Sequence, residues 1–191
     1  MLLIIAARDF YYPEYSPVRN NLELSGVECR VASTTLEECW PNDKSPKIPV
    51  APDLRLADAK AQDYDAIYFV GGEGSLDYAE GGQHFDSAKR LIREALTTKC
   101  IVSAVGLGVV VLAEADVMVG KRAAAYPFGT PPGIYVRRLN ASGVQATDDA
   151  AVTDGPFVTG RAPQDMRLFT IALLKRLGIE PPAQQSTVPR E

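Results

Sequence analysis

The chain has 191 residues, 46% of them hydrophobic and 23% charged, with a formal net charge of −4. That length suits one well-cored globular domain and is short for two. The acidic balance supplies no basic footprint for nucleic acid, and no apolar run reaches the roughly 18 residues of a membrane span.

Leu2–Ala7 opens the chain as a continuous apolar run, the pattern of a strand buried on both faces. It is too short, and lacks the basic leader, for a signal peptide. Arg8–Tyr15 reads as a loop, and a helix follows from Glu14 to Leu24 with Tyr15, Val18 and Leu22 inward, closed by Gly26. Glu28–Ser33 is a second strand. Thr34–Pro52 reads as an exposed excursion anchored by Trp40, and Leu54–Ala61 as a short strand or turn. Asp65–Val70 is another buried strand, ending in Gly71-Gly72-Glu73-Gly74. Gln83–Leu96 repeats Phe85, Ala88, Leu91, Ile92 and Ala95 at helical spacing. His84 falls at the start of that helix.

Lys99–Ala115 is the stretch around which the chain is organised. It reads as a buried strand (Cys100–Ala104), a tight turn (Gly106-Leu107-Gly108) and a helix opening on Val109. A strand that enters a helix through a sharp turn is a nucleophile elbow. Its apex, where Ser or Cys normally stands, is Gly106. Arg122–Tyr126 then reads as a strand, the Pro- and Gly-rich segment after it as a loop, and Val136–Ala141 as a helical turn. Ala151–Thr153 and Phe157–Thr159 form a hairpin about Asp154-Gly155. Pro163–Leu177 is a last amphipathic helix, and Ile179–Glu191 a frayed tail.

Strands alternating with helices, several strands uniformly apolar, predict an α/β fold: a three-layer sandwich with a flavodoxin-like, mostly parallel sheet. One domain spans 1–178. Ligands of such sheets sit beyond the carboxyl ends of the strands, where the loop after the first strand, the Gly-Gly turn and the elbow converge. The three cysteines, Cys29, Cys39 and Cys100, form neither a disulfide framework nor a zinc spacing and point to reduced thiols in a cytoplasmic protein. Cys100 starts a strand and reads as a core thiol. Arg19, on the first helix, reads as solvated.

These pieces resemble the ThiJ/PfpI superfamily, which shares the class I glutamine amidotransferase-like fold. The likeness runs from Leu2 to about Leu177 and rests on the first strand with its Glu-bearing loop, FVGGEGSLDY, the elbow followed by VLAEADVMVGKRAAAYP, and VTDGPFVTGRAP before the last helix. Members include cysteine-peptidase-like proteins, glyoxalases or deglycases, and isocyanide hydratases. The resemblance implies that Glu14, twelve residues before Gly26, is the family's acid or base. It makes Gly71 and Gly72 the oxyanion turn. Counting back six residues from Leu112 puts the nucleophile position at Gly106, with the N–H of Leu107 beside it. It further implies a homodimer with pockets near the interface.

The expected activity is that of an enzyme without a cysteine nucleophile. Glu14, its pKa raised in an apolar pocket, serves as general acid and base on a small carbonyl-type metabolite. Lyase, hydratase or isomerase chemistry fits, with no cofactor and no metal. Glycine at the apex is expected to leave room for water or a larger substrate. Tyr12, Tyr15 and Tyr126 are candidate ligand contacts, and Tyr11 belongs to the same aromatic run. The alternatives are a non-catalytic binding or regulatory relative, and a cysteine-dependent hydrolase or glyoxalase inactivated by the substitution to glycine at position 106.

Overall fold

The protein is described by a computed structural model covering residues 1–181. The expected tail from Ile179 falls mostly on residues 182–191, which lie outside the described residues. In chain order the elements are β1 (Leu2–Ile4), β2 (Arg8–Phe10), α1 (Tyr12–Leu24), β3 (Arg30–Ser33), β4 (Trp40–Pro41), β5 (Leu54–Arg55), β6 (Ala66–Phe69), α2 (Phe85–Thr98), β7 (Ile101–Val105) and α3 (Gly108–Glu114). After these come β8 (Arg122–Ala124), α4 (Ile134–Ala141), β9 (Gln145–Thr147), β10 (Ala151–Asp154), β11 (Phe157–Gly160) and α5 (Met166–Arg176).

The continuous apolar runs become the centre of one seven-stranded sheet in the order β10-β11-β7-β6-β1-β3-β5. Strands β1, β6 and β7 are buried at every position, which explains why their sequences do not alternate. All pairings in this sheet are parallel except the β10–β11 hairpin. In register, Leu3 faces both Val31 and Tyr68, and Tyr68 faces Ser103.

Successive side chains of β6 address opposite layers, as the two-residue period of a strand requires. Tyr68 stacks on Phe169 of α5, ring centroids 5.2 Å apart, and its hydroxyl donates to the backbone carbonyl of Glu14 in α1 at 2.8 Å. Phe69 meets Tyr78 edge-on at 6.3 Å on the other face. Gly108, at the start of α3, lies so close that a Cβ there would sit 2.5 Å from the Phe69 carbonyl oxygen. Helices α1 and α5 therefore cover one face, α2 and α3 the other. This is the mostly parallel α/β sandwich that the sequence predicts.

Several local expectations change. The helix expected from Glu14 begins at Tyr12, with Pro13 in its first turn. Proline fits there because its missing N–H would have no intrahelical partner anyway. The expected loop Arg8–Tyr15 contains strand β2, which pairs in parallel with β4. The excursion Thr34–Pro52 is thereby tied to the sheet's carboxyl edge rather than left free: the Trp40 N–H donates to Ala7 and that of Asn42 to Phe10, each at 3.0 Å. The helical turn expected from Val136 is the eight-residue helix α4, beginning at Ile134. Strand β9 pairs with β8 in a small side sheet. Arg19 is half-buried, with Nη1 donating to the Tyr15 hydroxyl at 2.6 Å and Nε to Glu23 at 2.7 Å. His84 is the N-cap of α2.

Candidate functional site

The elbow holds its apex in the left-handed region, at a φ of +57° for Gly106. Only glycine adopts that conformation without strain. Strand β7 delivers the apex at the carboxyl edge of the sheet. The Gly106 N–H donates to the Gly160 carbonyl at 3.1 Å, which locks the turn against β11. Beside it, at the end of β6, Gly72 has a φ of +106°. A Cβ there would meet the Asp9 carbonyl oxygen and the Tyr11 nitrogen, each at 2.5 Å. The loop after β1 thus lies directly on the Gly-Gly turn, and the Tyr11 N–H donates to the Gly71 carbonyl at 2.9 Å. That contact sets where α1 starts and so where Glu14 points.

Glu14 is only 2% exposed. Its carboxyl fills the space beside the apex: an ideal Cβ on Gly106 would lie 2.6 Å from Oε1 and 3.1 Å from Oε2. The room expected beside the apex glycine is therefore taken by the acid itself, which closes over a backbone that carries no side chain. Burial pushes the Glu14 pKa up from 4.5 to about 8, and the Gly71 N–H bonded to the carboxyl offsets only part of that rise. The position in the first turn of α1 favours charge, yet desolvation prevails. Among the described residues, Oε2 has no hydrogen-bond partner. An unpaired buried acceptor costs about 1–3 kcal/mol, and a fold tolerates that mainly where the group has work to do.

Over Glu14 opens a cleft of about 490 Å³. Glu14, Leu107 and Gly72 reach it from the three converging loops, and Glu73 and Tyr11 flank them. Tyr126, Phe128 and Thr130, from the segment between β8 and α4, and Tyr135, from the first turn of α4, close one wall. Asn42 and Lys44 come from the segment after β4. Among the described residues the N–H groups of Gly72 and Leu107 donate to no protein acceptor.

The structure thus brings Glu14, Gly72, Leu107 and Tyr126 together in the cleft, while Gly71 and Gly106 back the carboxyl from the sheet side. Tyr12 and Tyr15 do not line the cleft. Tyr15 is buried against Phe10, centroids 5.8 Å apart, and Tyr12 packs 5.9 Å from Tyr15. The tyrosine of that run that reaches the cleft is Tyr11. Glu73, Asn42, Lys44, Phe128 and Tyr135 were not among the expected site residues. The Pro- and Gly-rich segment around Phe128 was the available signal, because long irregular connections at a sheet's carboxyl edge carry binding groups.

No thiol stands in the cleft lining. Burial pushes Cys29 and Cys100 up to about 11 and Cys39 in the same direction, so none is an activated thiolate. Cys100 lies at the amino end of β7, away from the apex. Among the described residues no group of three His, Cys, Asp or Glu side chains gathers as metal ligands do, and no helix is long and apolar enough to cross a membrane.

Comparison with known proteins agrees with this fold. The chain is 34% identical to an uncharacterized protein of Methanocaldococcus jannaschii, over 93% of this chain and 82% of that one. It is 29% identical to an uncharacterized protein of Staphylococcus aureus, over 91% and 96%. Among solved structures it is similar to a ThiJ/PfpI domain protein from Brachyspira murdochii, with a TM-score of 0.82 at 21% identity over 93% and 95% of the chains. DJ-1beta of Drosophila melanogaster follows with a TM-score of 0.76 at 24% identity over 92% and 88%. The model of the DJ-1/PfpI family matches residues 1–176; the chain belongs to the DJ-1/PfpI family.

Proposed function

We propose that this protein is an enzyme that moves protons on a small carbonyl compound, with Glu14 as general acid and base and with no cysteine nucleophile. The observation that carries the reading is the Glu14 carboxyl: buried at the cleft floor, unpartnered at Oε2, and pushed up to about pH 8. A proton shuttle works best when its pKa lies near the working pH. The ionised carboxylate takes the proton from the carbon beside the substrate carbonyl. The C–H electron pair becomes the new C=C bond, and the carbonyl π pair moves onto oxygen. The N–H groups of Gly72 and Leu107 are the donors for that oxygen. Where the deprotonated carbon bears a hydroxyl, passage of that hydroxyl's proton to the enolate oxygen and of the Glu14 proton to the former carbonyl carbon completes an isomerisation. Where a hydroxyl stands on the next carbon, re-formation of the carbonyl expels it, and it takes the Glu14 proton and leaves as water in a dehydration. With glycine at position 106 no covalent adduct forms at the apex. Family membership supports placing this activity in one domain over 1–178, in a cytoplasmic homodimer.

Deuterium uptake next to the carbonyl tests the proposal. Glyceraldehyde in D2O, followed by proton NMR, is expected to exchange in the presence of the protein. Glu14→Gln should slow exchange at least about 100-fold, the usual contribution of a positioned acid or base. A Glu14→Gln protein that exchanges at the parent rate refutes the assignment. Ligand uptake with no exchange at all points to the non-catalytic binding relative.

A further inference from the structure

The cleft walls specify more than proton transfer. Tyr126 stacks edge-on against Phe128 at 5.4 Å and tilted against Tyr135 at 6.0 Å. The three rings make a continuous aromatic wall, and Phe128 remains 58% exposed, an apolar face with nothing covering it. Among the described residues the hydroxyls of the cleft tyrosines Tyr11, Tyr126 and Tyr135 make no hydrogen bond to the protein, as is also true of Tyr12 outside the cleft, whereas those of Tyr15, Tyr68 and Tyr78 do. All three residues line the same cleft. Burial raises the pKa of Tyr126, and the neighbouring Glu14, Tyr11, Tyr135 and Glu73, in their ionised forms, raise it further.

The charges at the cleft balance. Its ionisable lining, tyrosines apart, is Glu14, Glu73 and Lys44. With Glu14 protonated at neutral pH, the exposed Glu73 and Lys44 cancel, so the site selects neither an anion nor a cation. Aromatic faces beside several uncharged O–H and amide groups are what a compound with alternating C–H and O–H surfaces requires.

The walls are also held in place before any ligand arrives. Helix α4, which carries Tyr135, is clamped by Arg138 to Glu114 through two bonds of 2.7 and 2.8 Å. Asn42 Oδ1 accepts from Ser45 Oγ at 2.8 Å, which leaves its amide N–H groups for a ligand.

We propose that the cleft takes a neutral, polyhydroxylated carbonyl compound of small-sugar size. Tyr11, Tyr126 and Tyr135 read its hydroxyls, and the Tyr126–Phe128–Tyr135 wall covers its C–H face. This inference rests on the reading of Glu14 as the proton shuttle for the chemistry, but not for the binding. A site built to hydrogen-bond substrate hydroxyls discriminates strongly against analogues that lack them, because its own polar groups are left unpaired.

The test uses three open-chain probes: L-erythrulose, 1-hydroxy-2-butanone, which lacks two of its hydroxyls, and dihydroxyacetone phosphate as the anionic control. Binding is read by NMR titration and reaction by deuterium uptake beside the carbonyl. L-erythrulose is expected to bind at least about tenfold tighter than 1-hydroxy-2-butanone and no more weakly than dihydroxyacetone phosphate. Tyr126→Phe and Tyr135→Phe should each reduce the first preference several-fold with unchanged circular dichroism. Equal binding of L-erythrulose and 1-hydroxy-2-butanone, tighter binding of the phosphate, or preferences untouched by both tyrosine variants would overturn the substrate class. Glu14-dependent exchange on 1-hydroxy-2-butanone as fast as on L-erythrulose would also overturn it, while leaving the proton-transfer reading intact. Tyrosine-dependent binding of L-erythrulose without exchange would support the substrate class and refute the catalytic role of Glu14.

Discussion

Removing the acidity of Glu14 while keeping its shape should make the protein more stable, by an amount that grows with pH. The folded protein holds the Glu14 proton up to about pH 8, whereas the ordinary value is 4.5. Between those values the native state carries a proton that the unfolded chain has released. Stability is therefore full below pH 4.5, falls by about 1.4 kcal/mol per pH unit as pH rises, and levels off above 8. The whole loss is about 5 kcal/mol, a large share of the roughly 5–15 kcal/mol that holds a typical domain together. Glu14→Gln replaces the acid with a neutral group of the same size, which still accepts from the Gly71 N–H. Its stability should lie within about 1 kcal/mol of the parent at pH 5 and exceed it by roughly 3–5 kcal/mol at pH 9. Guanidinium unfolding of both proteins from pH 5 to 9, followed by circular dichroism, measures the gap directly, because all other titrating groups cancel in the comparison. A gap of the same size at pH 5 and pH 9 would show that Glu14 ionises normally and that its burial does not set its pKa.

Further outcomes follow from the same geometry. The exchange rate should rise with pH through about 8 and then level off, because the base form of Glu14 is the reactive one; a rate that falls across that range would assign the protonated form instead. Gly106→Ala puts a Cβ 2.6 Å from Glu14 Oε1 at a positive φ; it should cost about 1–3 kcal/mol in unfolding experiments and move the Glu14 carboxyl enough to lower the exchange rate. Iodoacetamide should leave activity unchanged, since burial pushes Cys29 and Cys100 up to about 11; inhibition traced by mass spectrometry to any one of the three thiols would show that a cysteine does the chemistry.

The sequence by itself determined the sheet and the convergence of loops at its edge. Leu2–Ile4, Ala66–Phe69 and Ile101–Val105 were legible because strands buried on both faces must be apolar throughout, and the elbow because a glycine turn between such a strand and a helix has few other uses. Glu14 was singled out only through the family resemblance, whose acid stands twelve residues before a helix-ending glycine, here Gly26. What fills the apex, and what walls the cleft, only the tertiary structure decided. Strands β2 and β4 are two or three residues long, with no periodicity to read, yet their pairing carries Asn42 and Lys44 to the site. Tyr11 rather than Tyr12 faces the cleft because one backbone bond to Gly71 sets the phase of the first turn of α1, and one residue of phase turns a helical side chain by about 100°. Tyr126, Phe128 and Tyr135 meet Tyr11 across more than a hundred residues of chain, a juxtaposition that no local pattern encodes. The raised pKa of Glu14 belongs to the same class of fact: it follows from the water that the folded sheet and helices exclude, and a lone glutamate in a sequence carries no sign of that exclusion.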